Sequence, residues 1–478
     1  MLFNSINFAI FLPIVFTLYW LFSKQNLRYQ NILLLISSYF FYSCWDWRFL
    51  FLLIFSTVLD YFTGIQMVKT SNIKHREFWF WISIMVNLGF LGIFKYYDFF
   101  IKSFAIAFAK VGINMNPYML NVILPVGISF YTFHGLSYVI DIYNNRIKPE
   151  KNLIDYAVFV GFFPLLVAGP IERATHLLPQ IKEKRIFDYS KAVNGMRQIL
   201  WGLFKKIVIA DQCAHYANMI FNHHADYSGS TLLLGLVFFS FQIYCDFSGY
   251  TDIAIGTARL FGIDLLRNFA FPYFSRNIAE FWRRWHISLT TWFRDYIYFP
   301  LGGSKGGKWL KIRNVMLIFL ISGLWHGANW TYIIWGLLNG LYVLPSILFP
   351  SGKNTAEIVA QGKYLPTLKE FLSIILTFTL TLFAWIIFRS PSIESAISYA
   401  SKVFSNSLFT VPTVRPTKIF LLILIFITIE WLGREAQFAI ANVGAKWSKG
   451  LRWLFYYLLV LTTLYFAGDE QQFIYFQF

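Results

Sequence analysis

Charged side chains are scarce in this sequence: Asp, Glu, Lys and Arg make up 14% of its 478 residues. A soluble domain carries roughly 25% charged residues. So few charges cannot cover a water-facing surface of this size, which excludes a wholly soluble protein. Acidic residues are the scarcer sign, 24 against 41 Lys and Arg, for a formal charge of +17. Cysteine is nearly absent. Cys44, Cys213 and Cys245 show no C-x-x-C spacing, which excludes a disulfide framework and a thiolate metal site, so no metal is expected. The first apolar run, from Ile6 to Phe22, has no cationic stretch before it and no small-residue cleavage site after it. A retained first helix is therefore expected rather than a cleaved signal. Internal repeats, low-complexity tracts and long linkers are missing too. The polar loops near 351–367 and 389–417 are too short to fold alone, so residues 1–478 are expected to form one integral membrane domain with an aromatic tail, 468–478.

What fills the chain is apolar: 57% of the residues are hydrophobic and 21% aromatic. Segments of spanning length, about 17–25 residues, occur near 5–22, 30–45, 49–67, 78–94, 97–113 and 119–143. Others lie near 153–169, 231–262, 313–349, 368–388, 418–432 and 453–467, and 231–262 and 313–349 are long enough to be broken or paired. The expected fold is an all-α polytopic membrane protein with about ten to twelve transmembrane or re-entrant helices. The surplus Lys and Arg lie between the apolar runs, as cytoplasmic loops require and as anionic lipid or phosphate-bearing ligands favour; nucleic acid is not an expected partner. Lys24 and Arg28 read as inside, Trp45–Arg48 as outside, and Lys69, Lys74 and Arg76 as inside again. Both loop 144–152 and the stretch after Pro170, which includes Lys205 and Lys206, are basic. They cannot both be cytoplasmic if 153–169 is an ordinary span, so that segment is expected to be re-entrant or tilted. The topology beyond it stays open.

The chemistry concentrates between Phe281 and Trp330. Wound as one helix, 282–296 puts Trp282, Trp285, Leu289, Trp292, Phe293 and Tyr296 on an apolar face and Arg283 and Arg294 opposite, with His286 at the border. An arginine face suits phosphate, although the arginines alone fit an interfacial anchor helix equally well. His326 lies inside an apolar run, where an ionisable residue is costly and faces a cavity or a partner. Burial keeps its imidazole neutral, the form a general base requires, while a histidine bonded across helices remains the competing reading. Gly323 and Gly327 flank it and suggest room for a narrow ligand chain. His134, within another span, reads as structural or cavity-lining. His223 and His224 beside Asp226 read as a solvated loop. Asp246 and Ser248 put a carboxylate and a hydroxyl in apolar surroundings, either to orient a catalytic group or to pair with Arg or backbone. The apolar chain end must dock somewhere. An extended stretch from about residue 467 to Tyr475 reaches roughly 26 Å, more than half of a hydrocarbon core of about 30 Å.

The motifs FWRRWHISLTTWFRDYIYFPLGGS (281–304), SGLWHG (322–327), YCDFSGYTDIA (244–254) and AGPIER (168–173) together resemble the membrane-bound O-acyltransferase family. Within it they are similar to the bacterial branch typified by the membrane subunit of alginate O-acetyltransferase. The resemblance covers nearly the whole chain. It implies helices around a central tunnel, with His326 as catalytic histidine and His286 as the second histidine of the bacterial branch. Arg283, Arg284 and Arg294 would bind substrate phosphates, with Trp285, Trp325, Asn329 and Asp246 completing the substrate-binding set. No bound cofactor is implied; the donor would be a cytoplasmic acyl thioester, acetyl-CoA. Phe473-x-Tyr475-x-x-Phe478 is similar to the tail of the small partner peptide in D-alanylation systems, which makes Tyr475 a candidate acyl acceptor, against a plain aromatic anchor. The implied activity is O-acetylation of an extracytoplasmic polysaccharide, alginate-like or peptidoglycan. It would be completed by a periplasmic partner of the SGNH type, at the inner membrane of a bacterium. A transporter with a histidine proton relay is the main alternative, and a lipid acyltransferase a third.

Overall fold

The computed structural model describes residues 1–22, 26–349, 357–444, 447–468 and 471–474. Lys24, Tyr475 and Phe478 lie outside the described residues. Among those described, regular structure is entirely helical. Two compact units emerge: Met1–Ala192 with Ala258–Leu266, and Val193–Thr257 with Arg267–Phe478.

The first unit carries the helices Ile6–Phe22, Leu27–Ser43, Trp47–Val68, Ile73–Leu91, Tyr97–Lys110, Ile128–Tyr143, Leu153–Gly161 and Ala174–Lys182. Several begin at a side chain that closes an otherwise orphaned backbone N–H. Asn26, Asp46, Asn72 and Asn152 each accept from the amide two residues on, the usual role of a short polar N-cap. Trp47–Val68 shows how lipid sorts the side chains. Phe51, Phe55, Val58 and Phe62, spaced for one helical face, are exposed, while Ser56, Thr57, Asp60 and Thr63 are buried. Polar atoms without water must find partners inside. Asp60 accepts from Ser83 Oγ at 2.6 Å and Asn87 Nδ2 at 2.8 Å.

Two expectations change here. The runs 78–94 and 97–113 are one continuous helix, Ile73–Lys110, because no breaker separates them and a π turn at Gly92–Tyr96 absorbs the misfit. The helix inside 119–143 starts only at Ile128, after Pro125 and a left-handed Gly127. The basic-loop conflict has a structural counterpart in Leu153–Gly161, whose nine residues rise only about 14 Å. The non-helical chain that follows, 162–172, is buried throughout. His134 Nε2 accepts there from the Glu172 amide at 3.1 Å, so this histidine braces the loop.

The second unit contains the helix Gly229–Leu260 up to its last turn, with Lys308–His326, Trp330–Leu348, Leu368–Arg389, Thr417–Leu432 and Lys449–Tyr465. Gly229–Leu260 runs unbroken for 32 residues. The apolar run 313–349 instead splits between His326 and Trp330, where the Asn329 carboxamide caps the second helix. Among the described residues, five helices are long and apolar enough to cross a membrane: Trp47–Val68, Ile73–Lys110, Gly229–Leu260, Trp330–Leu348 and Leu368–Arg389. Lys205 and Lys206 are not loop cations. They are buried in a π-helical segment, Phe204–Ala210, where Lys205 pairs with Asp252 at 2.6 Å and Lys206 with Asp211 at 2.7 Å.

Lys308–His326 and Trp330–Leu348 pack closely because neither presents a side chain at the crossing. A Cβ on Gly323 would lie 2.3 Å from the Tyr332 carbonyl oxygen, and one on Gly336 would lie 2.3 Å from that of Phe319. Small residues allow such approach where lipid offers no hydrophobic drive between helices. Gly336→Val should therefore destabilise the protein by about 1–3 kcal/mol, the usual overpacking cost, lowering the thermal unfolding midpoint in detergent micelles. Gly89→Ala, whose Cβ meets open space, should leave that midpoint unchanged or raise it. A Gly336→Val protein as stable as the wild type would mean that the helices have room to separate.

Candidate active site

The expected helix 282–296 is interrupted. Ile278–Arg284 ends at Trp285, His286 takes a left-handed conformation (φ 43°), and Ile287–Phe293 begins a second helix. A non-glycine residue held there costs about 1–3 kcal/mol and persists only where its surroundings impose it. The surroundings here are the backbone of 268–270. Ala270 N donates to Arg284 O at 2.9 Å and Ile287 N donates to Asn268 O at 2.9 Å. Asn268 Oδ1 also accepts from the Ser288 hydroxyl and amide. The chain on both sides of His286 is thereby tied down and the imidazole is turned inward, 1% exposed. Neither of its ring nitrogens has a hydrogen-bond partner among the described residues.

His326 arrives from another direction, as the last residue of Lys308–His326. Its ring packs edge-on against Trp335 (5.1 Å between centroids) and Phe388 (5.4 Å). The Trp325 indole sits beside both histidines, 5.7 Å from the His286 ring and 4.9 Å from that of His326. The two imidazoles line one cavity of about 590 Å³, together with Arg283, Arg294, Trp282 and Ser322. Most of the remaining wall is apolar, so a charged ligand would find its counter-charges at Arg283 and Arg294, both exposed. Arg294 Nε also donates to Asp295 at 2.8 Å.

The other site candidates have different tasks. Arg284 does not line the cavity; it donates to the buried Glu280 carboxylate at 2.9 Å and reaches the Ala270 carbonyl, bracing the same interruption. Trp285 is buried against Phe269, Phe281 and Trp385. Asn329 caps its helix and donates to the Pro391 carbonyl. Asp246 pairs with Lys206 at 2.9 Å and accepts from the Ile474 amide at 2.7 Å. Ser248 accepts from Lys205 at 2.9 Å. Gly323 and Gly327 leave space for Tyr332 rather than for a ligand: a Cβ on Gly327 would meet the Tyr332 ring at 2.2 Å. Among the described residues no cluster of His, Cys, Asp or Glu could hold a metal.

Sequence reasoning missed Ser322, Trp282 as a wall residue, and Asn268. Ser322 had a signal. It precedes His326 by one turn, and Val315, Phe319, Ser322 and His326 form a single helical stripe. Asn268 had none, since its role depends on two distant stretches meeting.

An interrupted helix presenting one histidine to a cavity, with a second histidine from a helix end, is a site on a family scaffold. Residues 145–387 match the membrane-bound O-acyltransferase family, and both histidines fall within that span. The chain belongs to this family and is an acyltransferase. It is 41% identical over 408 residues to a probable alginate O-acetylase of Pseudomonas syringae pv. tomato, covering 85% of this chain and 75% of that protein. It is 35% identical to the probable alginate O-acetylase of Pseudomonas putida across an alignment of 503 positions that spans the full length of both. A peptidoglycan O-acetyltransferase of Helicobacter pylori is 36% identical over 426 residues, 83% of this chain and 78% of the relative.

The arginines can be separated experimentally. Arg284→Ala leaves Glu280, 1% exposed, with one cation fewer, and should cost about 3 kcal/mol in thermal unfolding. Arg283→Ala should leave the unfolding midpoint within the range of a surface change, about 0.5 kcal/mol, and raise the KM for a phosphate-bearing donor. Equal stability loss in both proteins would contradict this division.

Proposed function

We propose that this protein moves an acetyl group from cytoplasmic acetyl-CoA across the inner membrane of a bacterium, for O-acetylation of an extracytoplasmic polysaccharide. The observation that carries the proposal is the convergence of His286 and His326 on one cavity that also bears Arg283 and Arg294. The arginines suit the phosphates of the donor, the apolar wall suits its thioester arm, and the buried imidazoles suit proton transfer away from water. The printed names of the relatives, alginate O-acetylase and peptidoglycan O-acetyltransferase, support an alginate-like or peptidoglycan acceptor.

The chemistry is acyl transfer. His326 takes the proton from an acceptor hydroxyl as its oxygen attacks the thioester carbonyl; a C–O bond forms, the C–S bond breaks, and the proton passes to the departing thiolate. His286 orients or polarises the donor. Tyr475 is the proposed first acceptor. Its phenol, of pKa about 10, leaves more readily than a sugar alkoxide, so an acyl-tyrosine ester remains transferable. A periplasmic partner of the SGNH type then carries the group to the polysaccharide.

Purified protein should release CoA from acetyl-CoA, and His326→Ala should lower that rate by about 10²–10⁴-fold, the range for general base catalysis. Mass spectrometry of the C-terminal peptide under turnover should find an acetyl group on Tyr475, lost in Tyr475→Phe. No CoA release would rule out acetyl-CoA as the donor. Full activity of Tyr475→Phe would remove the tyrosine step while leaving the rest.

A further inference from the structure

Residues 471–474 occupy a built slot away from the wall of the two-histidine cavity. Its floor is a buried ion cluster. The Lys206 ammonium donates to Asp211 at 2.7 Å, to the Gln471 carbonyl at 3.1 Å, and contacts Asp246 at 2.9 Å. An ammonium has three donors and no acceptor, so the chain end takes the donor that the two carboxylates leave over. The Ile474 amide in turn donates to the second oxygen of Asp246 at 2.7 Å. Two carboxylates face one ammonium here, and an N–H donor is what the surplus negative charge favours. Above this floor the Phe473 ring lies 4.9 Å from Tyr250 and 6.5 Å from Phe247, and Ile474 is 0% exposed. Gln472, between the buried residues and Gln471, is exposed. Sliding the segment by one residue would break both backbone bonds and push a carboxamide into the aromatic slot.

We propose that Lys206 and Asp246 form a latch: a binding site for an extended segment bearing an aromatic and an aliphatic residue in succession, filled by this protein's own Gln471–Ile474. The latch sets register. Phe247, which carries the Phe473 ring on one side, also touches the His286 imidazole at 4.7 Å. The segment is thereby anchored next to the residue that stands against one of the site histidines. Lys206 and Asp246 are positioning residues in this scheme, because they act through the chain end. As a device for acyl transfer the latch rests on the tyrosine-relay proposal; as a binding site it does not.

Ile474→Pro tests it, since proline keeps an apolar side chain but has no N–H to give Asp246. Ile474→Val, which keeps the donor, is the control. Hydrogen exchange of the C-terminal peptide, read by mass spectrometry on the full chain in detergent micelles, should be slow in the wild type and in Ile474→Val. In Ile474→Pro the amides of Gln472 and Phe473 should exchange about tenfold faster or more. Equally slow exchange in all three would mean that the micelle, not the latch, covers the segment, and would overturn the proposal. With acetyl-CoA, Ile474→Pro should also slow acetylation of Tyr475 at saturating donor while leaving the donor KM unchanged. Faster exchange with unaltered acetylation would uphold the latch and remove its part in the relay.

Discussion

The site depends on one interruption of regular structure. A helix through 282–296 would leave His286 at a surface border; the left-handed residue at 286 turns the ring inward instead. Left alone, that conformation would relax into a continuous helix, which satisfies more backbone bonds. It holds because 268–270 accept and donate the bonds that the helix gives up, and because Arg284 is clamped between Glu280 and the Ala270 carbonyl. Part of the arginine-rich motif thus maintains geometry, and only part of it faces the cavity.

Burial imposes a second constraint. Among residues shielded from water, ionisable groups occur in partnered sets: Asp60 with Ser83 and Asn87, Lys205 with Asp252 and Ser248, Lys206 with Asp211 and Asp246, Glu430 with Tyr244 and Trp201. Removing one member would strand another, so these sets tie separate helices into fixed registers. His286 belongs to no such set: both of its ring nitrogens are unpartnered among the described residues. Its ring faces the cavity that His326 also lines.

Much of this was legible in the order of residues. Apolar runs of spanning length located most of the helices, because lipid demands the same length and polarity from any of them. The motifs around His286 and His326 pointed to two residues that line one cavity, and an inward histidine within a span is informative by its cost alone. Lys205 and Lys206 misled, since a lysine pair in a polar stretch reads as a loop, and only the approach of Asp211, Asp246 and Asp252 makes burial tolerable. Gly323 and Gly327 misled for a similar reason: a missing side chain leaves space, but the partner, Tyr332, is known only from the packing.

Composition and periodicity by themselves determined that this chain lives in a membrane and that its regular structure is helical. These follow from transfer of side chains and backbone between water and lipid, which acts on each segment separately. Tertiary structure alone decided that the helix breaks at His286, that Arg284 braces while Arg283 lines the cavity, and that Asp246 grips the chain end. Each of those outcomes is a hydrogen bond or ion pair between residues far apart in sequence, and no local pattern encodes which distant group will arrive.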